Sequence, residues 1–230
     1  MKLKSCVLLL SGGVDSVNTL HLLLKDKFNV FPLFIDYGQK ALKNELTSAQ
    51  FFSEYFNAKP LKEIRTNIYK TIEGHPLLET IKEITLKEEI TSKNYLHFRN
   101  LTFACLGAIY AKNINVKNIA FGFISKLNYT LYPDTSPDFI SKLNELFKLI
   151  EPSVPINILA PLITRSKTEI IQYSIKNEIP IQKTYSCYEK KKCYKCESCL
   201  DVINAFNNLS KCDSAMIDIH KFNPYKTRKI

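Results

Sequence analysis

The chain has 230 residues and a mass of 26.5 kDa, with 45% hydrophobic and 23% charged residues, which excludes an intrinsically disordered polymer and fits one globular domain or one domain with an appendage. Its longest wholly aliphatic run near the start, Val7 to Leu10, is too short for a signal-peptide core or a membrane span, so no membrane partner and a cytoplasmic setting are expected. Lysine and arginine exceed aspartate and glutamate by 32 to 22, a net charge of +10 that favours anionic partners, nucleotides ahead of nucleic acid, although scattered solvating lysines give the same sum.

Ser5 to Leu10 is a continuous apolar run ending at glycines, the pattern of a buried parallel strand. A helix follows, capped by Asp15 or Ser16, with Val17, Leu20 and Leu24 on one face. Asn29 to Asp36 is a second buried strand, in which Pro32 predicts a bulge or local irregularity. Leu42, Leu46, Ala49 and Phe52 mark a helix between Lys40 and Phe56, and Ala58 to Ile64 a third strand. Residues 67 to 94, broken at Gly74-His75-Pro76 and charged from Glu83 to Glu89, are expected to form an excursion covering the site. Leu101, Ala104, Cys105 and Ala108 define a helix with small residues, Lys117 to Phe123 another strand, and Phe139, Leu143, Leu146, Phe147 and Ile150 a further helix. Beyond Glu151, Pro152, Pro155 and Pro161 punctuate a loop, helix returns from Ser166 to Glu178, and Pro180 stops it. This alternation predicts an α/β fold with a doubly wound, mostly parallel sheet over residues 1–180, followed by a small C-terminal unit at 181–230. Ligands in such sheets bind beyond the carboxyl ends of the strands.

Ser11-Gly12-Gly13-Val14-Asp15-Ser16 lies where that fold places a phosphate loop. Two glycines allow close backbone approach to an anion, the hydroxyls of Ser11 and Ser16 add donors, and the helix dipole favours negative charge. The spacing fits neither G-x-x-x-x-G-K-[ST] nor G-x-G-x-x-G. Asp15 beside phosphates implies a bridging divalent cation, for which Mg²⁺ is the natural choice; a strand-to-helix turn that uses glycine only for its geometry is the plainer alternative.

Seven cysteines divide into isolated Cys6, Cys105 and Cys212 and a cluster, Cys187-x5-Cys193-x2-Cys196-x2-Cys199. Without an export signal, metal binding or catalysis precedes a disulfide framework. Four thiolates suit a closed, structural tetrahedral Zn²⁺ site, and they also suit an iron–sulfur cluster. Lys190, Lys191, Lys192 and Lys195 offset the charge of such a centre. His21, His75 and His220 have no evident partners by spacing, and His97 draws notice only as a neighbour of Arg99.

The segment Leu10 to Ser16 resembles the phosphate loop of the PP-loop ATP pyrophosphatases. Together with the cysteine cluster it resembles the QueC (ExsB) family of 7-cyano-7-deazaguanine synthases along nearly the whole chain. Ile35-Asp36-Tyr37-Gly38-Gln39 is similar to that family's second-strand motif and Arg99-Asn100-Leu101 to its Arg-Asn helix start. Tyr132-Pro133-Asp134 is similar to its Tyr-Pro-Asp loop, Pro161-Leu162 through Lys167-Thr168-Glu169 to its Lys-x-Glu stretch, and Thr184 to Cys199 to its zinc segment.

The resemblance implies an ATP-dependent carbon–nitrogen ligase that adenylates 7-carboxy-7-deazaguanine and joins it to ammonia, releasing AMP and pyrophosphate, in a homodimer carrying structural Zn²⁺ and catalytic Mg²⁺. It further implies that residues 10–16, Asp36, Tyr37 and Gln39 hold ATP, that Arg99, Asn100, Tyr132 and Asp134 meet substrate, and that Asp15, Ser16, Arg99 and Lys167 act in catalysis. Lys167 is placed to reach the α-phosphate. Three departures bear on substrate: His97-Phe98 where the family has Pro-Gly, Ser125 to Leu131 where it carries acidic residues, and Thr135-Ser136 where it has Cys-Arg. They leave open a QueC-like relative that joins a deazaguanine to a protein amine in an anti-phage system, or a PP-loop enzyme that thiolates tRNA.

Overall fold

The computed structural model describes residues 4–71, 77–78, 94–124, 132–212 and 223–225. Five strands, β1 (Ser5–Leu9), β2 (Asn29–Asp36), β3 (Lys62–Arg65), β4 (Asn118–Ala120) and β5 (Asn157–Leu159), form a parallel sheet in the order β3-β2-β1-β4-β5. The helices are α1 (Val14–Lys25), α2 (Leu42–Tyr55), α3 (Arg99–Asn113), α4 (Pro137–Ile150), α5 (Lys167–Lys176) and α6 (Glu197–Cys212).

Alternation along β1 sends Cys6 and Leu8 into a core shared with Val17, Leu20, Leu23, Phe34 and Phe52, and Val7 into the opposite core with Leu33, Ala104, Ala111, Ile119 and Phe147. Helices thus cover both faces, which is why β1 and β2 read as unbroken apolar runs. Strand order reverses between β1 and β4, and that switch point is where a crevice must open at the carboxyl ends of the strands.

Several local expectations need correction. Pro32 causes no bulge: β2 keeps register with β1 from Asn29 to Leu33, and β3 begins only opposite Leu33, so the missing N–H falls outside the β2–β3 ladder. The proline-rich stretch after Glu151 contains β5, and the cysteine segment runs directly into α6. Residues 72–76 and 79–93 of the expected excursion, the departure at 125–131, His75 and His220 lie outside the described residues. His21 does have a partner, since its Nδ1 lies 2.7 Å from the Tyr173 hydroxyl.

Helix starts follow ordinary capping chemistry at α4, where Ser136 accepts from the Phe139 amide, and at α5, where Ser166 and Glu169 form a reciprocal capping box. The C-terminal unit packs through α6 onto α5, and its core joins Val14, Ile171 and Ile175 to Cys187, Cys199, Val202 and Phe206. α3 begins differently. Phe98 caps it in the left-handed conformation at φ 59° and is 70% exposed, at the position where the family motif has glycine. Left-handed backbone is unfavourable for a residue with a Cβ, and glycine returns part of the gain through greater freedom of the unfolded chain. Phe98→Gly is therefore expected to raise stability by up to about 1 kcal/mol, read as a higher midpoint in urea unfolding at unchanged slope.

Candidate active site

The crevice at the switch point is a cavity of about 280 Å³, lined by Leu10, Ser11, Gly13, Asp15, Ser16, Tyr37, Gln39, Arg99 and Asn100 among the residues expected from sequence. Its floor is the turn between β1 and α1. Gly12 has φ +79°, and a Cβ there would lie 2.5 Å from the Glu45 carbonyl oxygen and 2.8 Å from the Ser48 Cβ, so only glycine fits. Ser48 holds the turn by donating from its hydroxyl to the Gly12 carbonyl at 2.7 Å. On the other side a Cβ at Gly122, just beyond β4, would lie 2.8 Å from the Ser16 amide nitrogen. The Gly13 amide donates to Ser11 Oγ at 3.3 Å, Ser16 Oγ donates to the Gly13 carbonyl at 3.0 Å, and the two serine hydroxyls are 3.1 Å apart. Gly13, the N-cap of α1, has no side chain with which to cap it, so the positive end of the helix dipole faces the cavity floor. Gly12 and Val14 are the two residues of this loop that do not line the cavity; the Val14 side chain is turned into a core with Ile171, Ile175, Cys187 and Cys199.

Charge gathers near this floor from distant parts of the chain, although Lys167, Tyr132 and Asp134 are not among the residues that line the cavity. The Lys167 ammonium, at the first turn of α5, donates to both Asp15 carboxylate oxygens at 2.7 and 2.6 Å. Arg99 opens α3 and is surrounded by Tyr37, Tyr188 and Asp134; burial opposes its charge, and these neighbours hold it firmly protonated. Asn100 donates to the Asp134 carbonyl at 3.2 Å. The Asp134 side chain is buried, burial raises its carboxyl above the usual range against the pull of Arg99, and its Oδ1 has no hydrogen-bond partner among the described residues. Tyr132 donates its hydroxyl to Glu197 at the start of α6.

Asp36 is placed apart from the cavity wall. It accepts from Arg65 Nε at 2.7 Å, across the β2–β3 register, and from the Gly38 amide at 3.1 Å. Tyr37 and Gln39 do reach the wall, and Gln39 leads to a group that motif reading missed: its Nε2 donates to Glu45 at 3.0 Å. Burial raises the Glu45 carboxyl to about 7 despite the Gln39 bond and the Arg99 charge. Glu45 shares a helix face with Leu42, Leu46 and Ala49, and a carboxylate interrupting an apolar stripe was the available signal. Tyr185, Ser186, Tyr188 and Ser198 also line the cavity, so the cysteine segment supplies one of its walls.

Cys187, Cys193, Cys196 and Cys199 bring four sulfurs within 4.8 Å of one another. A tetrahedral ion with metal–sulfur bonds of about 2.3 Å requires sulfur–sulfur edges of about 3.8 Å. The Cys187–Cys193 and Cys193–Cys199 edges are 3.6 and 4.0 Å. Backbone amides of Glu189 and Cys193 point at the Cys187 sulfur, and that of Cys196 at Cys193. Burial works against ionisation of Cys193, and the amides of Lys195 and Cys196 overcome it, bringing the thiol down to about 7. Four soft donors at these separations fit a metal ion.

A five-stranded parallel sheet wrapped by helices, a phosphate-type loop at its switch point and a four-cysteine cluster together define a PP-loop fold of the ATP pyrophosphatase type with an appended cluster of cysteines able to bind a metal. Solved structures of the same fold include the U34-tRNA thiolase NcsA from Methanococcus maripaludis with its [4Fe-4S] cluster, at 16% identity and a TM-score of 0.55, covering 92% of this chain and 68% of that one. A 4-thiouridine synthetase–RNA complex with bound ATP matches at 17% identity and a TM-score of 0.51, covering 84% and 45%. Residues 5–210 match the family described as queuosine biosynthesis protein QueC. The 7-cyano-7-deazaguanine synthase of Prochlorococcus marinus strain MIT 9215 is 37% identical over 208 residues, 86% of this chain and 92% of the relative. The enzyme of the same name from Acetivibrio thermocellus is 30% identical over 220 residues, covering 92% and 97%. The chain belongs to the QueC family, and with it to enzymes of the ligase type. Among the described residues no helix is long and apolar enough to cross a membrane.

Two outcomes follow from this geometry. Gly122→Ala forces the Ser16 backbone to shift and is expected to lower stability by about 1–3 kcal/mol, read as a lower midpoint in urea unfolding. Glu45 carries a folded-state pKa above its ordinary 4.5, so the folded chain favours the protonated form, and its ionisation lowers stability as pH rises from 4.5 to about 7. Glu45→Gln is expected to raise Tm relative to the parent above pH 7, with the difference disappearing toward pH 4.5.

Proposed function

We propose that this enzyme activates 7-carboxy-7-deazaguanine with Mg²⁺-ATP and condenses the acyl adenylate with ammonia, a second activation of the resulting amide giving 7-cyano-7-deazaguanine, AMP and pyrophosphate. The observation that carries the reading is one cavity, in a member of the QueC family, lined at once by the Ser11–Ser16 turn and by Arg99 and Asn100.

The amides and hydroxyls of residues 11–16 bind the β- and γ-phosphates at the positive end of α1, which leaves the α-phosphorus toward the strand ends. Asp15 is the residue that would hold Mg²⁺, and the ion when bound neutralises the triphosphate. Lys167, next to Asp15, offsets negative charge that builds on the α-phosphate as the acyl oxygen attacks. Arg99 pairs with the substrate carboxylate and fixes its line of approach. The unpartnered Asp134 oxygen accepts an N–H of the deazaguanine ring, and Asn100 holds the Asp134 backbone in place for it. Zn²⁺ is the metal proposed for the four-cysteine centre, because four thiolates close a tetrahedron and leave no open position for chemistry.

The test is mass spectrometry of products from 7-carboxy-7-deazaguanine, ATP and ammonium. Amide and nitrile with AMP and pyrophosphate are expected, and ADP with inorganic phosphate would overturn the assignment. Asp15→Ala is expected to remain folded and to lose about a hundredfold or more in rate. An adenylate that forms and is not consumed by ammonium would point to a protein amine as acceptor. One zinc per chain in a colourless protein is expected from elemental analysis, and a brown protein would mean an iron–sulfur cluster.

A further inference from the structure

We infer that Tyr185 and Ser186 tie the shape of the phosphate loop to the four-cysteine centre, so that metal occupancy and nucleotide affinity are coupled. This rests on the reading that residues 11–16 bind ATP, and on no assumption about the acid that is activated.

Two hydrogen bonds clasp the loop from outside the sheet. The Tyr185 amide donates to the Gly12 carbonyl at 3.0 Å, and the Val14 amide donates to Ser186 Oγ at 3.2 Å. Val14 is the first residue of α1, and its N-cap, Gly13, offers no side chain; Ser186 therefore caps the helix from 172 positions away. The loop is pressed against this strut as well, since the Ser186 hydroxyl and the Tyr185 carbonyl lie 3.6 and 3.7 Å from the place of a Gly13 Cβ.

The other end of the strut is the metal site. Cys187 follows Ser186 directly, is fully buried, and shares a core with Val14 and Cys199. From Thr184 to Cys196 the backbone has neither helix nor strand, and no ladder of its own would preserve its course if the sulfurs lost their common ion. Its other anchors among the described residues are side-chain contacts: the Asn44 side chain donates to the Lys190 carbonyl at 2.7 Å, Lys40 pairs with Glu189 at 3.6 Å, Lys192 donates to the Pro224 carbonyl at 3.3 Å, and Tyr188 packs against the sheet core. One peptide bond separates Ser186 from the cysteine whose sulfur the metal would fix, leaving little slack in the chain. Loss of the ion shifts Cys187, and the capping hydroxyl moves with it.

Coupling between two sites is reciprocal: if metal raises ATP affinity, ATP must raise metal affinity by the same factor. Ser186 is a positioning residue in this account, and its test needs readouts that ordinary destabilisation would leave alone. In the metal-loaded protein Ser186→Ala is expected to raise the Kd for Mg²⁺-ATP about three- to tenfold, and Ser186→Thr, which keeps the hydroxyl, to restore it. Release of metal to a chromophoric chelator is expected to slow on addition of Mg²⁺-ATP in the parent and in Ser186→Thr, and much less in Ser186→Ala. An unchanged Kd in Ser186→Ala, or metal release indifferent to ATP in the parent, overturns the coupling alone. A metal-loaded parent that binds no ATP overturns the functional reading and the coupling with it.

Discussion

The turn between β1 and α1 is held on three sides, by contacts that leave no room for a side chain on two of them and by hydrogen bonds on the third. α2 meets Gly12, the end of β4 meets the Asp15–Ser16 backbone, and Tyr185 and Ser186 meet Gly13 and Val14. The grip matters because the turn uses main-chain groups to face charge, and main-chain groups aim usefully only when the backbone is immobilised. Without it, amides at an uncapped helix start would turn to water or to neighbouring carbonyls. The rest of the architecture follows from the need to bring three separate elements to this one place, which a sheet whose strand order reverses at its middle provides.

A second consequence of that convergence is electrostatic economy at the cavity floor. Asp15 and Lys167 neutralise one another, Arg99 faces Asp134 and is hydrogen-bonded to Tyr37, and burial raises the Glu45 carboxyl to about 7. The cations of the site are therefore oriented before any ligand enters. Little reorganisation is left for the moment of binding.

Local features could be read from the chain and long-range ones could not. The Ser11–Ser16 turn, the apolar runs of β1 and β2 and the faces of α2 and α4 are encoded within a few residues of themselves, and appear where periodicity and glycine placement put them. β5 escaped because Asn157-Ile158-Leu159 is three residues between prolines, too short to show a period. α6 was not legible because its first turn, from Glu197, carries the cluster ligand Cys199, so ligand spacing and helix start overlap in the same residues. Motifs named Asp15 and Lys167 separately, but nothing in the sequence joins residues 152 positions apart; the His21–Tyr173 pair was hidden for the same reason. Asp36 shows the converse: a motif position whose carboxylate is spent on Arg65 in the neighbouring strand.

The cavity draws its walls from Leu9 at one end of the chain to Ser198 near the other. A ribosome making this protein therefore releases the sheet strands long before it releases Cys199, and the nascent chain passes most of its synthesis with the glycine turn after β1 unsupported on one flank. Contacts of such high sequence separation form late in folding. On the reading that this turn holds nucleotide, competence to do so waits for synthesis of the cysteine segment that completes the wall.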